Sequence, residues 1–127
     1  MKDITIEIDA RNGDLARVAA GLARHQVTLR AGAAVSSGPR IVARFVPSDL
    51  DAARQSLEEA GIGFQESDIV PISLDARAGQ LAHLIAQLAT QGVGIRALYL
   101  TSAANGRLEL ALAPTNVART LRALKAL

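Results

Sequence analysis

Asp9-Ala10-Arg11-Asn12-Gly13-Asp14-Leu15-Ala16 and Asp75-Ala76-Arg77-Ala78-Gly79-Gln80-Leu81-Ala82 carry one pattern, D-A-R-x-G-x-L-A, at an offset of 66 residues. Six of the eight positions are identical. The offset persists downstream, where Leu22 meets Leu88, Val27 meets Val93, Leu29 meets Ile95 and Arg30-Ala31 meets Arg96-Ala97. After a one-residue slip in a turn, Arg40 meets Arg107 and Pro47-Ser48-Asp49 meets Pro114-Thr115-Asn116. A fixed-period repeat decides the architecture before any single element does. The chain is a duplication of one unit, and the expected division is 1–70 and 71–127.

Each copy reads in the same order. Ile4, Ile6 and Ile8 alternate with Thr5, Glu7 and Asp9, the period of a half-buried strand. Leu15, Val18, Ala19, Leu22 and Ala23 then recur at helical spacing, as do Leu81, Leu84, Ile85, Leu88 and Ala89. Second strands are expected around Val27–Val35 and Val93–Thr101. Ser36-Ser37-Gly38-Pro39 and Ala103-Ala104-Asn105-Gly106 turn the chain back, the Asn-Gly pair being a strong hairpin signal. The returning strands are Arg40–Val46 and Arg107–Ala113. Ser48 with Asp51 resembles a capping box opening a second helix, which Gly61 ends. Ile62–Leu74 supplies a fourth strand and runs into the second copy, with Pro71 as the expected break. The second copy's last helix begins near Thr115, which leaves no room for a fourth strand. The strand around Ile72–Leu74 is then expected to expose an open edge, which a second chain would cover as a homodimer.

Composition narrows the functional classes. Half of the 127 residues are hydrophobic and only 2% aromatic, so the core is aliphatic. Cysteine is absent, which excludes disulfides, thiolate metal sites and a cysteine nucleophile. Fourteen basic and twelve acidic residues give a net charge of +2. The isoelectric point near 9.7 does not alter that reading, because it marks where titration crosses zero rather than the field near neutrality. No concentrated basic footprint for nucleic acid is present. Neither a signal-peptide pattern nor an apolar run of about 20 residues occurs, so a cytoplasmic protein without membrane association is expected.

The order strand, then x-G-x-L opening a helix, then a strand starting V/I-x-L/I resembles the ACT domain family. More narrowly, the chain resembles small bacterial stand-alone proteins made of two tandem ACT domains. The resemblance runs from Ile4 to about Leu124. It implies an α+β fold of tandem ferredoxin-like (βαββαβ) units, with antiparallel sheets, helices on one face and the second unit lacking its last strand. It also implies a regulatory, non-catalytic protein that binds a free amino acid where two units meet, without cofactor or metal. The family commonly places proline before the turn glycine, where this chain has Asn12 and Ala78. A regulatory subunit that docks on a metabolic enzyme and binds no ligand itself is the alternative.

The expected site is the junction of first strand and first helix. The opening N–H groups of a helix lack intrahelical partners, and the helix dipole adds partial positive charge, which suits a carboxylate. The candidate set is Asp9, Arg11, Asn12, Gly13, Asp14 and Leu15 with Ala33 in the first copy. In the second it is Asp75, Ala78, Gly79, Gln80 and Leu81 with Leu98 and Tyr99. Each has a plainer reading. Asp9 and Asp75 either cap loop amides or accept an ammonium. Asp14 either stabilises its helix or binds. The glycines serve either the turn or the close approach of ligand. Arg11 and Arg77 are either solvated or in contact with ligand, and Tyr99 either packs or binds. The resemblance implies that the second strand of one copy comes over the loop of the other, where Ala31-Gly32-Ala33-Ala34 of the first copy leaves room and Leu98, Tyr99 and Thr101 of the second fill it.

An enzyme is not expected. His25 and His83 do not fall at repeat-equivalent positions, and no clustered carboxylates accompany them as a metal set. Ser36, Ser37 and Ser102 have no base at a recognisable spacing. Neither G-x-G-x-x-G after a strand nor a Walker loop occurs. Phe45, Phe64 and Tyr99 are the whole aromatic supply, too little for base stacking on a sheet.

Overall fold

The computed structural model describes residues 1–125. Chain order is β1 (Lys2–Asp9), α1 (Asp14–Arg24), β2 (Leu29–Ser37), β3 (Arg40–Pro47), α2 (Leu50–Glu59) and β4 (Gln65–Asp68), followed by β5 (Val70–Asp75), α3 (Gln80–Thr90), β6 (Ile95–Ala104), β7 (Arg107–Pro114) and α4 (Val117–Lys125). The chain divides into one unit over Lys2–Ser67 and another from Asp68 onward that includes Met1. The first sheet has the order β2-β3-β1-β4 and the second β5-β7-β6, with β3 and β7 antiparallel to their neighbours. This is the expected tandem ferredoxin-like arrangement, and among the described residues the second sheet has three strands.

Alternation becomes burial in the way the period requires. Ile4, Ile6 and Ile8 meet Val18, Leu22, Phe45, Ala53 and Leu57 in the first core. Val70, Ile72, Leu84, Leu88, Leu110 and Leu112 form the second. Gly61, at φ 69°, follows the end of α2, where only glycine takes the left-handed turn without a Cβ penalty.

Three local expectations change. The cap of α2 is Asp49, whose carboxylate accepts from Ala52 N–H at 3.0 Å. Ser48 is held elsewhere, because its Oγ accepts from Thr28 N–H at 3.0 Å and its own N–H donates to Thr28 O at 2.8 Å. Thr115 and Gly94 repeat that latch at 3.1 and 2.9 Å. The break between β4 and β5 falls at Ile69 rather than Pro71, which lies inside β5 opposite Ala111. An edge strand tolerates a residue with no N–H to donate. The second strands begin two residues later than their periodicity suggests, at Leu29 and Ile95.

One polar element has no counterpart in the second unit. Asp3 is fully buried and receives Arg44 through Nε and Nη2. By the repeat register, Ile69 and Ala111 occupy these positions in the second unit, and both are buried. Removing one partner of a buried pair strands the other charge, which costs about 3–5 kcal/mol. Arg44→Ala should lose that much in urea unfolding. The double variant Asp3→Ile, Arg44→Ala, which copies the second unit, should lose less than the single one. Equal losses would contradict this account.

Candidate functional site

The four helices start in two ways. Helices α2 and α4 are closed by side chains, Asp49 accepting from Ala52 N–H and Asn116 from Arg119 N–H at 2.8 Å. Helices α1 and α3 start from Gly13 at φ 75° and Gly79 at φ 89°, with no side-chain cap on either. A left-handed residue at this place favours glycine, since an L side chain there is strained. The first helical bonds are Arg17 N–H to Gly13 O at 3.1 Å and His83 N–H to Gly79 O at 2.9 Å. Ahead of these bonds the first-turn amides lack the usual partner four residues back, and in α3 that of Gln80 turns instead to Arg77 O at 3.2 Å.

The first loop supplies its own neutralisation. Asp9 Oδ1 accepts from Arg11 N–H at 2.7 Å, so one of its oxygens shapes the turn. Asp14 forms an ion pair with Arg17 at 2.7 Å. That hydrogen bond is the main reason its carboxyl titrates below the usual aspartate value. Oriented with its nitrogen inward, Asn12 donates to both Asp14 oxygens at 3.0 and 2.9 Å. The carboxylate at the helix start is therefore already matched by a guanidinium.

Beside this loop lies a cleft of about 470 Å³. One wall is α1, through Leu15, Val18, Ala19 and Leu22, and the other is β2 from Leu29 to Ala34. Ala43 and Phe45 form the floor. Val18 and Leu22 are buried, but Leu15 is 39% exposed and Ala19 is exposed, so only part of the helix's apolar stripe reaches the core. Helix and strand run in opposite directions, so Leu15 lies at the Ala33–Ala34 end and Leu22 at the Leu29–Arg30 end. Arg30 lines the rim and is exposed, in a position to lay its methylene stem over apolar surface while its head stays in water. A mostly apolar cleft with few polar groups at its margins is the usual form of a small-molecule site.

The second loop is tied down more fully. Asp75 is held by both Arg107 and Arg77, the Arg77 contact measuring 3.1 Å. The hydrogen bond from Arg107 is the largest cause of its lowered pKa. Arg107 also donates to Ser73, which donates to Glu109 at 2.8 Å. Gln80 N–H donates to Arg77 O at 3.2 Å, so one first-turn amide is taken. Ala78 precedes Gly79 in the loop, and Leu81 is 40% exposed beside it. On β6, Leu98 packs against the second core and Tyr99 is half-buried. A hollow of about 440 Å³ lies on another flank of α3, between β5 and Leu124, with His83 and Gln80 on its wall. Among the described residues no three His, Asp or Glu side chains gather as a metal site, and no helix is long and apolar enough to cross a membrane.

A family model described as an ACT domain pair matches residues 1–124. The chain belongs to that family. Nothing among curated proteins matches it. Among solved structures, protein BT0572 from Bacteroides thetaiotaomicron is similar at 26% identity and TM-score 0.88, over 98% of this chain and 86% of that one. The regulatory subunit of aspartate kinase from Thermus thermophilus shares the fold at 21% identity and TM-score 0.65, over 98% and 91% of the two chains. The corresponding subunit from Thermus flavus does so at 19% identity and TM-score 0.67, over 98% and 90%.

Within this ACT pair, Leu15 and Ala33 both line the first cleft, whereas Asp9, Arg11, Asn12, Gly13 and Asp14 lie on the loop and helix start just before Leu15 and are not among its lining residues. Sequence reasoning missed Arg30 as a rim residue and Ala19 as a wall. The available signal was an apolar helix face opposite a strand made of alanine and glycine. The carboxylates Asp14, Asp75 and Glu66 all titrate below their ordinary values through arginine partners, with Glu66 held by Arg54. Groups with depressed folded-state pKa stabilise the fold above their ordinary values, and that contribution is lost as pH falls through the folded ones. Chemical denaturation should therefore show stability falling from about pH 4.5 downward. Glu66→Gln should flatten that slope, and an unchanged slope would dismiss the Arg54 pairing as its source.

Proposed function

We propose that this ACT pair is a non-catalytic regulator that binds a free amino acid at a glycine-opened helix start. The supporting observation is the contrast between helix starts. Side chains close α2 and α4, whereas α1 and α3 open on Gly13 and Gly79 without a side-chain cap. At α1 that opening adjoins the 470 Å³ cleft. The ligand carboxylate meets the first-turn amides around Asp14 and Leu15. Several N–H groups must share it, since the dipole alone contributes about 0.3–1 kcal/mol. The ammonium is met by the second oxygen of Asp9, by Asp14 or by Asn12, with Arg11 at the rim. In the second unit the corresponding set is Asp75, Ala78, Gly79, Gln80 and Leu81, with Leu98 and Tyr99 across from it. Catalysis has no place in this reading. Binding changes what the pair touches.

A thermal-shift screen with the twenty amino acids is the direct test. A ligand at 100 times its Kd stabilises the fold by about 2.7 kcal/mol. Gly13→Ala should cost about 1–2 kcal/mol of stability from the left-handed backbone. It should also weaken binding at least tenfold. Unchanged affinity would remove the loop from the site. If no amino acid shifts the protein and a metabolic enzyme co-purifies with it, the reading is replaced by a docking subunit, to which the fold shared with aspartate kinase regulatory subunits lends only architecture.

We also propose a homodimer. The outer edge of β5 has no strand beside it among the described residues, and such edges invite pairing. Pro71 limits the hydrogen bonds available there, so the contact is expected to be short. A monomeric mass by sedimentation at micromolar concentration would exclude it.

A further inference from the structure

The two units are internal references for one another, and the walls beside the first helix are one place where they differ. By strand register, Gly32 lies opposite Phe45 and Ala34 opposite Ala43, while Leu98 lies opposite Leu112 and Leu100 opposite Leu110. Gly32 and Ala34 of β2 are therefore replaced on β6 by Leu98 and Leu100. On the helix, Ala19 of α1 corresponds to Ile85 of α3. The second unit thus carries three larger aliphatic side chains where the first has two alanines and a glycine. Leu98 packs down onto its own core. Phe45, larger than Leu112, compensates for Gly32 in part, and a Cβ on Gly32 would come within 3.0 Å of it. The cleft of about 470 Å³ persists nonetheless.

We infer that the pair takes one ligand per chain, in the first unit only, and that this ligand is an amino acid with an aliphatic side chain. The inference rests on the amino-acid-binding reading above and deepens it. In the second unit the corresponding positions carry leucine and isoleucine, of which Leu98 packs on the core while Leu100 and Ile85 stand 53% and 39% exposed along the same groove. In the first unit these positions hold only glycine and alanine while the walls of the cleft stay apolar. An aliphatic group from a ligand replaces the missing side chains and removes apolar wall from water, which is favourable in proportion to area. A charged or strongly polar side chain would lose its hydration there without gaining a partner. The loops differ in the same sense. Asp75 is shared by two arginines and Gln80 N–H is already bonded, so the second loop has fewer groups to offer.

Calorimetry on the full chain with L-leucine, L-isoleucine and L-valine, and with L-aspartate and L-lysine as polar comparators, tests this. One equivalent of an aliphatic amino acid should bind per chain, at least tenfold tighter than either comparator. Ala34→Leu and Ala19→Ile, which copy the second unit, should each weaken it tenfold or more with the melting transition retained. Leu100→Ala in the second unit should leave affinity and stoichiometry unchanged. Gly32 is avoided as a test position, because its substitution would press on Phe45. Two equivalents per chain, or full affinity in both filled variants, would overturn the inference while leaving amino-acid binding in place. So would preference for a polar amino acid, or a filled variant that changes only the oligomeric mass. Absence of any amino-acid binding would overturn the functional reading itself, and this inference with it.

Discussion

A helix cannot begin without leaving amide hydrogens that nothing within the helix can accept, and this chain meets that constraint in two ways. Asp49 and Asn116 reach forward to cover the first turns of α2 and α4. Gly13 and Gly79 instead bend into the left-handed region and contribute no side chain. The first solution completes a helix as a structural part. The second leaves it able to take an outside acceptor, and the rest of the unit is arranged around that opening. The strand leading in ends on Asp9, the helix leading out presents Leu15, and β2 returns beside them with small residues.

Much of this could be read from the chain because the information was local. The doubled D-A-R-x-G-x-L-A pattern, the alternation of Ile4, Ile6 and Ile8 and the Asn105-Gly106 turn each fix short-range geometry, and the structure follows them. What could not be read depended on partners far along the chain. Ser48 and Asp49 are both good caps, and the choice is made by Thr28, twenty residues away, which holds Ser48. The engagement of Asp75 depends on Arg107, thirty-two residues on. The stripe on α1 reads as core throughout, yet Leu15 and Ala19 stay outside it. Leu81 and Ile85 on α3 are left out in the same way, and periodicity along one element says nothing of how far a neighbouring element reaches over it.

Duplication also frees each copy to specialise. The latch between Ser48 and Thr28 survives as Thr115 and Gly94, and the side-chain caps survive as Asp49 and Asn116. These belong to the scaffold. The surroundings of the glycine loops have drifted apart, with an ion pair between Asp14 and Arg17 in one and a network of two arginines in the other. The two helix starts are thus among the places where the copies have diverged.

Two nearly interchangeable halves on one chain create a hazard of their own, because a strand from one can dock into the sheet of the other while both are still forming. The Asp3–Arg44 pair bears on this hazard. Were β1 to settle against β7, Ala111 would take the place of Arg44, diagonal to Asp3, and the carboxylate would lose its guanidinium. Were β5 to settle against β3, Arg44 would meet Ile69 and be stranded in turn. Either swap separates the buried carboxylate from its guanidinium, and breaking a buried pair costs several kcal/mol. A single ionic contact, costly to bury for its own sake, thereby distinguishes self from sibling and keeps each half folding with its own strands.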